Sequence, residues 1–461
     1  MPGIAWHVAG IALLMAAWWI TEAIPVAATA LVPVVAFPLA GVGGIEDATA
    51  PYANSLIFLF LGGFMLALGL ERWNLHRRIA LTILNRVGAC PSALVAGFLV
   101  TTALLSMWVS NTATAMMLLP IGLSVIGLLH ADGVASLPAG EDRNFSVALL
   151  LAIAYGATIG GLGTLIGTPP NALFAAYLSE AHGVAIGFGQ WMLVGVPMAL
   201  VMLPLAWIVL TRLAFPVGRA AIPGASRVIA HELGALGQMT GPEKRVAAIF
   251  VATATLWMIR PGINHLLPSV ALSDPAIAIG AALALFAIPA GQGDGECLLN
   301  WNWAKRLPWG VLILFGGGLS LAAAIDRSGL ASWIGTAMTA GAGLPVIVIV
   351  LLITVVVIFL TEITSNTATA AVFLPLVAAF AVSIGAAPVT LMAPVALAAS
   401  CAFMMPVATP PNAIVFASGA VTIPHMARAG LLLNLAAIFL IVFAAYSLVP
   451  LVFGSVVPGR T

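Results

Sequence analysis

The sequence predicts an all-α, polytopic membrane protein made of two inverted-topology repeats, each with five spans, one re-entrant hairpin and one broken helix. Three observations carry that reading. Hydrophobic residues make up 62% of the 461 residues and charged residues only 7%, where a soluble domain has about a quarter charged. The phrase Ser-Asn-Thr-Ala-Thr-Ala occurs twice in apolar surroundings, from Ser110 to Ala115 and from Ser365 to Ala370, and each copy leads at equal distance into Leu-Pro (Leu119-Pro120 and Leu374-Pro375). Downstream of each lies a second duplicated phrase, Thr168-Pro169-Pro170-Asn171 and Thr409-Pro410-Pro411-Asn412.

A bilayer-spanning helix takes about 20 apolar residues, which leaves room for about ten spans and two shorter hairpins. The first apolar stretch has no basic leader and no A-x-A site and runs straight into a second, so it reads as a span and not as a cleaved signal. Spans are expected near 8–24, 27–43, 54–71, 148–178 and 190–211, then near 247–263, 270–290, 307–325, 388–419 and 427–453. Segments 91–127 and 345–383 have arms too short to cross comfortably on either side of a Ser-Asn-Thr tip, and read as hairpins that enter and leave on one face. Segments 148–178 and 388–419 are too long for one straight helix. Thr-Pro-Pro-Asn breaks each of them, because proline removes a backbone donor and clashes with the preceding turn.

The halves align beyond the motifs. Phe60-Leu61-Gly62-Gly63 matches Phe315-Gly316-Gly317-Gly318, and Glu71-Arg72 matches Asp326-Arg327, at the offset that separates Ser110 from Ser365. The expected division is 1–213 for the first repeat, 214–246 for a cytoplasmic linker carrying Pro216, Gly218, Pro223 and Gly224, and 247–461 for the second repeat. With that linker inside, all of the 16 Lys and Arg residues except Arg260, Arg327 and Arg460 face the cytoplasm, as the positive-inside rule requires. Both termini then lie outside, and the two hairpins open on opposite faces.

Polar, helix-breaking sequence at membrane depth has to line a cavity or be sheltered by protein. Matched breaks in two halves point to a transporter binding site at a repeat interface. A helix start leaves main-chain N–H groups unpaired and carries partial positive charge, which suits an anion; Ser, Asn and Thr are the residues that cap such starts. Carbonyls freed where helices end, together with serine hydroxyls and asparagine oxygens, suit a small hard cation such as Na⁺. No Lys or Arg lies in the motif-bearing segments. An anion buried there needs accompanying cations, since an unpaired buried charge is heavily penalised.

Other readings are weaker. A lone Ser-Asn-Thr is usually a helix cap, but two copies in apolar settings reverse that expectation. Asn171 and Asn412 fit caps and ligands equally well. Glu362 fits a tuning role at a cation site and a structural hydrogen-bonding role equally well, and its first-half counterpart is Met107. Glu22 reads as fixing the packing of the first span near the interface. The glycines at 156, 160, 161, 163 and 167 lack a following Lys-Ser/Thr, so they read as close helix packing and not as a nucleotide loop. Cys90, Cys297 and Cys401 are too scattered for metal-ligand spacing. There is no basic tract for nucleic acid and no Ser/His/Asp or His/Cys cluster for an enzyme.

At these motifs the chain resembles the divalent anion/sodium symporter family, which carries dicarboxylates, citrate or sulfate. The resemblance rests on both duplicated phrases, on Ser400 through Val415 (Ser-Cys-Ala-Phe-Met-Met-Pro-Val-Ala-Thr-Pro-Pro-Asn-Ala-Ile-Val) and on Trp19-Ile20-Thr21-Glu22-Ala23-Ile24-Pro25. It covers essentially the whole chain, except that family members usually carry one more N-terminal span. It implies a homodimeric elevator in the bacterial inner membrane, surrounded by lipid, with a scaffold of about 1–88 plus 214–343 and a mobile transport unit of about 89–213 plus 344–461. It also implies a first Na⁺ site at Ser106, Ser110, Asn111 and the main chain at Gly167. The second Na⁺ site would use Thr361, Thr364, Ser365, Asn366 and the main chain at Ala408. The dianion would lie between Asn111-Thr112 and Asn366-Thr367, near Thr168, Thr409 and Pro410. The implied activity is Na⁺-coupled uptake of a C4-dicarboxylate. A Na⁺-independent exchanger and a sulfate or citrate carrier of the same fold are the alternatives.

Overall fold

The structure, a computed structural model, describes residues 3–130, 140–218, 220–269, 271–291, 295–337 and 344–454. The first half runs through α1 (Gly3–Thr21), α2 (Val26–Thr29), α3 (Val32–Leu39), α4 (Ile45–Thr49), α5 (Ser55–Arg72), α6 (Leu75–Leu84), α7 (Pro91–Ser106), α8 (Asn111–Gly127), α9 (Glu141–Gly161), α10 (Pro169–His182) and α11 (Phe188–Ile208). After α12 (Ala225–Ala235) come α13 (Gly241–Leu266), α14 (Asp274–Ala287), α15 (Trp301–Ala304), α16 (Trp309–Arg327), α17 (Leu330–Ala337), α18 (Val346–Thr361), α19 (Asn366–Ser383), α20 (Pro388–Ala399), α21 (Pro410–Phe416), α22 (Ile423–Tyr446) and α23 (Leu448–Phe453). Among the described residues, 8 helical stretches are long and apolar enough to cross a membrane.

Both hairpins form as expected, each with its Ser-Asn-Thr tip between two arms, and both Thr-Pro-Pro-Asn phrases open a helix after a break. The starts of α5, α7 and α8 match those of α16, α18 and α19 at the offset between Ser110 and Ser365 to within a residue. Two expectations need correction. The span placed at 27–43 is split at Ala30 and Leu31, just before Pro33, whose ring would clash with the Thr29 carbonyl in a continuous helix. The span near 270–290 is a helix of 14 residues, about 21 Å long against a hydrocarbon core of about 30 Å. The segment expected as a linker contains α12, whose Ile229 is buried while Arg227 and His231 are exposed. Its last residues already belong to α13, started by a capping box in which Thr240 and Glu243 satisfy each other's main-chain N–H.

Polar contacts sort the helix ends into two groups. At one end Arg72 pairs with Glu296, Arg77 with Glu232 at 2.6 Å, and Arg78 with Glu243 at 3.0 Å. At the other, Arg327 pairs with Asp47 at 2.9 Å and Arg260 with Asp274 at 2.7 Å. Helix α5 leads from Asn54, which holds Glu180 at 2.7 Å, to Arg72, and α16 leads from Pro308 to Arg327. The first hairpin has its base at the Arg72 end, where Ile222 N–H donates to Ala89 O at 2.9 Å, and the second follows α17 at the Arg327 end. Most basic residues lie at the Arg72 end. Arg219 and Arg460, which the charge count includes, fall outside the described residues.

The core centres on α9, buried from Phe145 to Gly161, and on α20. Around them the halves interlock: α10 packs on α19 of the second hairpin, and α21 packs on α8 of the first. The outermost helices are α1 and α13, whose apolar residues Leu13, Val251, Met258 and Ile259 are exposed. Helix α7 lies against α9 because Gly156 and Gly160 present no side chain; a Cβ at Gly160 would run into the Ala103 main chain. Replacing Gly160 with Val should therefore force the two apart and lower stability by about 2–3 kcal/mol, read as a lower melting temperature in detergent, while Gly88→Val, in open space, should leave it unchanged.

Candidate binding site at the hairpin tips

The two tips and the two breaks line one cavity of about 780 Å³. The first tip contributes Ser110, Asn111 and Thr112, and the second Thr364, Ser365, Asn366 and Thr367. From the breaks come Gly167 and Thr168 on one side, and Ala408, Thr409 and Pro410 on the other. All seven residues expected around the dianion thus share one wall system. Of those expected at the cations, Ser106 and Thr361 do not reach the cavity; they are fully buried behind the tips.

Those two hydroxyls make matching contacts. Thr361 Oγ1 lies 2.7 Å from Asn366 Oδ1 and 3.1 Å from the carbonyl oxygen of Ala399. Ser106 Oγ likewise bonds Asn111 Oδ1, and lies 2.8 Å from the carbonyl oxygen of Ala157. A hydroxyl has one proton to give, so in each half three oxygens gather around a single hydrogen. A Cβ placed on Gly161 would lie 3.0 Å from Gly167 O and 3.2 Å from Asn111 Oδ1, so the hairpin tip and the carbonyl freed by the break meet over a glycine. Hydroxyl, amide and main-chain oxygens without a basic neighbour form a donor set that fits a hard cation. Ser110 is also used as the cap of α8, accepting from Ala113 N–H at 3.1 Å, and Thr364 donates to Leu360 O at 2.9 Å.

The open backbone of each break is held by neighbouring side chains. Asn171 donates its amide to Gly161 O at 3.1 Å and to Thr164 O at 2.9 Å; Asn412 donates to Ala402 O at 3.4 Å and to Met405 O at 3.0 Å. Both are fully buried and neither lines the cavity. The sequence left them balanced between cap and ligand; the structure makes them staples that close the breaks. In the first half Thr164 also donates to Met107 O at 2.6 Å, and Trp191 donates to Leu162 O at 3.0 Å. Gly195 and Gly430 let α11 and α22 approach the carbonyls of Leu162 and Phe403, one at each break.

Glu362 resolves in favour of the structural role. Its Oε1 accepts from Phe403 N–H at 2.7 Å and from the Asn434 amide at 2.7 Å, and its Oε2 accepts from Met404 and Met405 N–H at 3.0 and 2.9 Å. Both oxygens act only as acceptors, the pattern of a carboxylate and not of an acid. It anchors the end of the second hairpin's first arm to the second break. Met107 cannot do this, so only the second half has a charged anchor.

Glu22 differs from its expected role. It is exposed and lines the cavity with Ile20 and Thr21, on the wall opposite the tips, beside Pro308 and Val311. Phe64, Ile166, Ile363 and Val407 add an apolar part to the lining that sequence reading did not single out, because a lone apolar residue among so many carries no local signal.

A chain with this helix content, two helical hairpins and a central polar cavity lined by helix starts is an integral membrane transport protein. It belongs to the family described as the sodium:sulfate symporter transmembrane region, which matches residues 1–454. It is 46% identical over 459 residues to the sodium-dependent dicarboxylate transporter SdcS of Staphylococcus aureus strain USA300, covering 98% of this chain and 88% of that protein. The SdcS of strain bovine RF122 / ET3-1 matches to the same extent. Among solved structures the fold is similar to the Alcanivorax borkumensis YdaH transporter, with a TM-score of 0.58 at 14% identity, covering 96% of this chain and 98% of that one. It is also similar to Neisseria gonorrhoeae MtrF, with a TM-score of 0.60 at 16% identity, covering 96% and 95%. Those two likenesses speak to fold alone.

The anchoring role of Glu362 has a direct consequence. In Glu362→Gln an NH₂ group replaces one acceptor oxygen and faces main-chain N–H donors, leaving at least one buried donor unpaired at a cost of about 1–3 kcal/mol. The variant should melt at a lower temperature than wild type, and an unchanged melting temperature would remove the anchor.

Proposed function

We propose that the protein is a Na⁺-coupled symporter of a divalent anion, and specifically of a C4-dicarboxylate such as succinate, malate or fumarate. The observation that carries this reading is the convergence of helix starts on a cavity with no basic side chain in its lining. Helices α8, α10 and α19 begin at the cavity, and short α21 begins there too. Each full helix start presents unpaired N–H groups and a partial positive charge of roughly one half, localised to its first turn, which orients the dianion without neutralising it. Two Na⁺ ions, one at each oxygen cluster, match its two formal charges. Each ion then raises the site's affinity for the other, which is the coupling a symporter needs.

Asn111 and Asn366 serve both ligands in this account. Their oxygens join the cations with Ser106, Ser110 and Gly167 on one side and Thr361, Thr364, Ser365 and Ala408 on the other. Their amide N–H groups, with Thr112, Thr367, Thr168, Thr409 and Pro410, face the dianion. The sodium-dependent dicarboxylate activity in the name of the SdcS relatives supports the choice of cation and of substrate class.

The hairpin bases at opposite ends and the shared offset support two inverted repeats. The concentration of Arg and Lys at the Arg72 end supports a cytoplasmic assignment for that end. Glu22, which is exposed, and Pro308 both line the cavity. Helix α1 begins with Trp6 against Trp333 at the Arg327 end and runs its full length to Glu22, which supports a mouth at the Arg72 end, open to the cytoplasm in this reading. One cavity wall comes from α1, α5 and α16 and the other from the hairpins and breaks. That division supports an elevator in which the second group moves past the first, within a homodimer in the plasma membrane.

Purified protein in liposomes should accumulate labelled succinate only under an inward Na⁺ gradient, and more readily than citrate or sulfate. Asn111→Ala or Asn366→Ala should cut Na⁺-dependent uptake at least about tenfold, roughly the loss of one ion-ligand hydrogen bond, with assembly unchanged. Wild-type kinetics in either variant would contradict the site, and succinate counterflow that persists without Na⁺ would make the protein an exchanger. Cysteines introduced beside Arg78 and Arg227 should be labelled from the cytoplasmic face alone; labelling of both from outside would reverse the topology.

A further inference from the structure

Of the described residues that line the cavity, Glu22 alone carries a formal charge, and its sign is that of the proposed substrate. It follows the last turn of α1 and is held in the left-handed region at φ 49°, which among the described non-glycine residues only Asn74 shares. The segment around it is fixed. Thr21 donates to Ala17 O at 2.7 Å, and the Trp19 indole N–H reaches across to Val26 O at 3.1 Å. Glu22 itself is exposed and, among the described residues, has neither a hydrogen-bond partner nor an ion-pair partner. A residue that served only to make this turn would be better as glycine or asparagine, which tolerate the left-handed region. A residue that served only packing would be buried.

We propose that Glu22 promotes release of the dianion on the cytoplasmic face. It rests on the dianion reading above. Standing at the cytoplasmic mouth, its carboxylate lowers the affinity of the open cavity for a dianion. The anion therefore leaves readily on the side where it must be released. The tips bind the dianion without a basic residue, so no positive side chain in the lining offsets a single opposing charge at the mouth. When the hairpins and breaks move to the opposite face, Glu22 stays on the other wall and no longer acts on the site. The effect is therefore one-sided. It is also screened by salt, because a charge facing an aqueous mouth is felt over about 10 Å at 0.1 M ionic strength.

The test uses membrane vesicles of both orientations carrying the full chain, with Na⁺ held fixed and choline chloride at about 10 mM or about 500 mM. The succinate KM is measured from each face for wild type, Glu22→Gln, Glu22→Asn and Glu22→Asp. The neutral variants should lower the cytoplasmic-face KM about fourfold at low salt, the effect of one charge on a dianion at roughly 10 Å through water. That gain should vanish at high salt, the external-face KM should not move, and Glu22→Asp should match wild type. A cytoplasmic-face KM within twofold of wild type in a well-expressed neutral variant would overturn the proposal. So would a change that survives high salt or occurs equally from both faces, either of which marks a structural role. If wild type itself carries no succinate from either face, the functional reading falls and takes the proposal with it.

Discussion

Main-chain groups that leave a helix at membrane depth must find partners there, because hydrocarbon offers none and each unpaired group costs several kcal/mol. This constraint shapes the centre of the molecule. Two helices are opened at Thr-Pro-Pro-Asn, and the carbonyls and N–H groups released are recovered by Asn171 and Trp191 at one break and by Asn412 and Glu362 at the other. What the breaks leave over faces inward, to a cavity where it meets the tips of two hairpins. The site is made of groups that the surrounding protein could not satisfy fully and did not bury fully.

The two halves meet this constraint by different means. The first break is held by neutral donors and by the indole of Trp191, the second by a carboxylate with three successive main-chain N–H groups around it. A repeat whose halves were chemically identical would present two equal cation sites. Here the second oxygen cluster lies beside a fixed negative charge, one that is already fully hydrogen-bonded and so cannot itself act as an ion ligand. In the proposed function the substrate is held by peptide dipoles and companion ions, and the one charged side chain among the described lining residues is an acid, Glu22.

Much of this was legible in the linear sequence, for identifiable reasons. Ser110–Thr112 and Ser365–Thr367 stand out because identical polar phrases in apolar surroundings are improbable unless both serve one purpose, and their meeting in space follows from duplication. The breaks stand out because two prolines in succession stop a helix in any context. What could not be read depends on partners distant in sequence. Asn171 and Asn412 are staples because carbonyls seven residues earlier point at their amides, a matter of backbone path and not of residue type. Glu362 looked ambiguous because its partners lie at 403–405 and at 434. Ser106 and Thr361 came from family resemblance; nothing local marks a buried hydroxyl in an apolar arm. Glu22 was misplaced because a span end near Pro25 looks like an interface, whereas the cavity reaches that depth.

The account stands on mutual dependence of cation and dianion binding at a site with no basic residue. The most direct measurement is a linked titration of the purified wild-type chain, following succinate affinity as Na⁺ is raised and Na⁺ affinity as succinate is raised. Linkage requires the two to change by the same factor, and the account predicts a factor of about a hundred or more, with succinate binding barely detectable in choline. Succinate affinity that is the same with and without Na⁺ would contradict it.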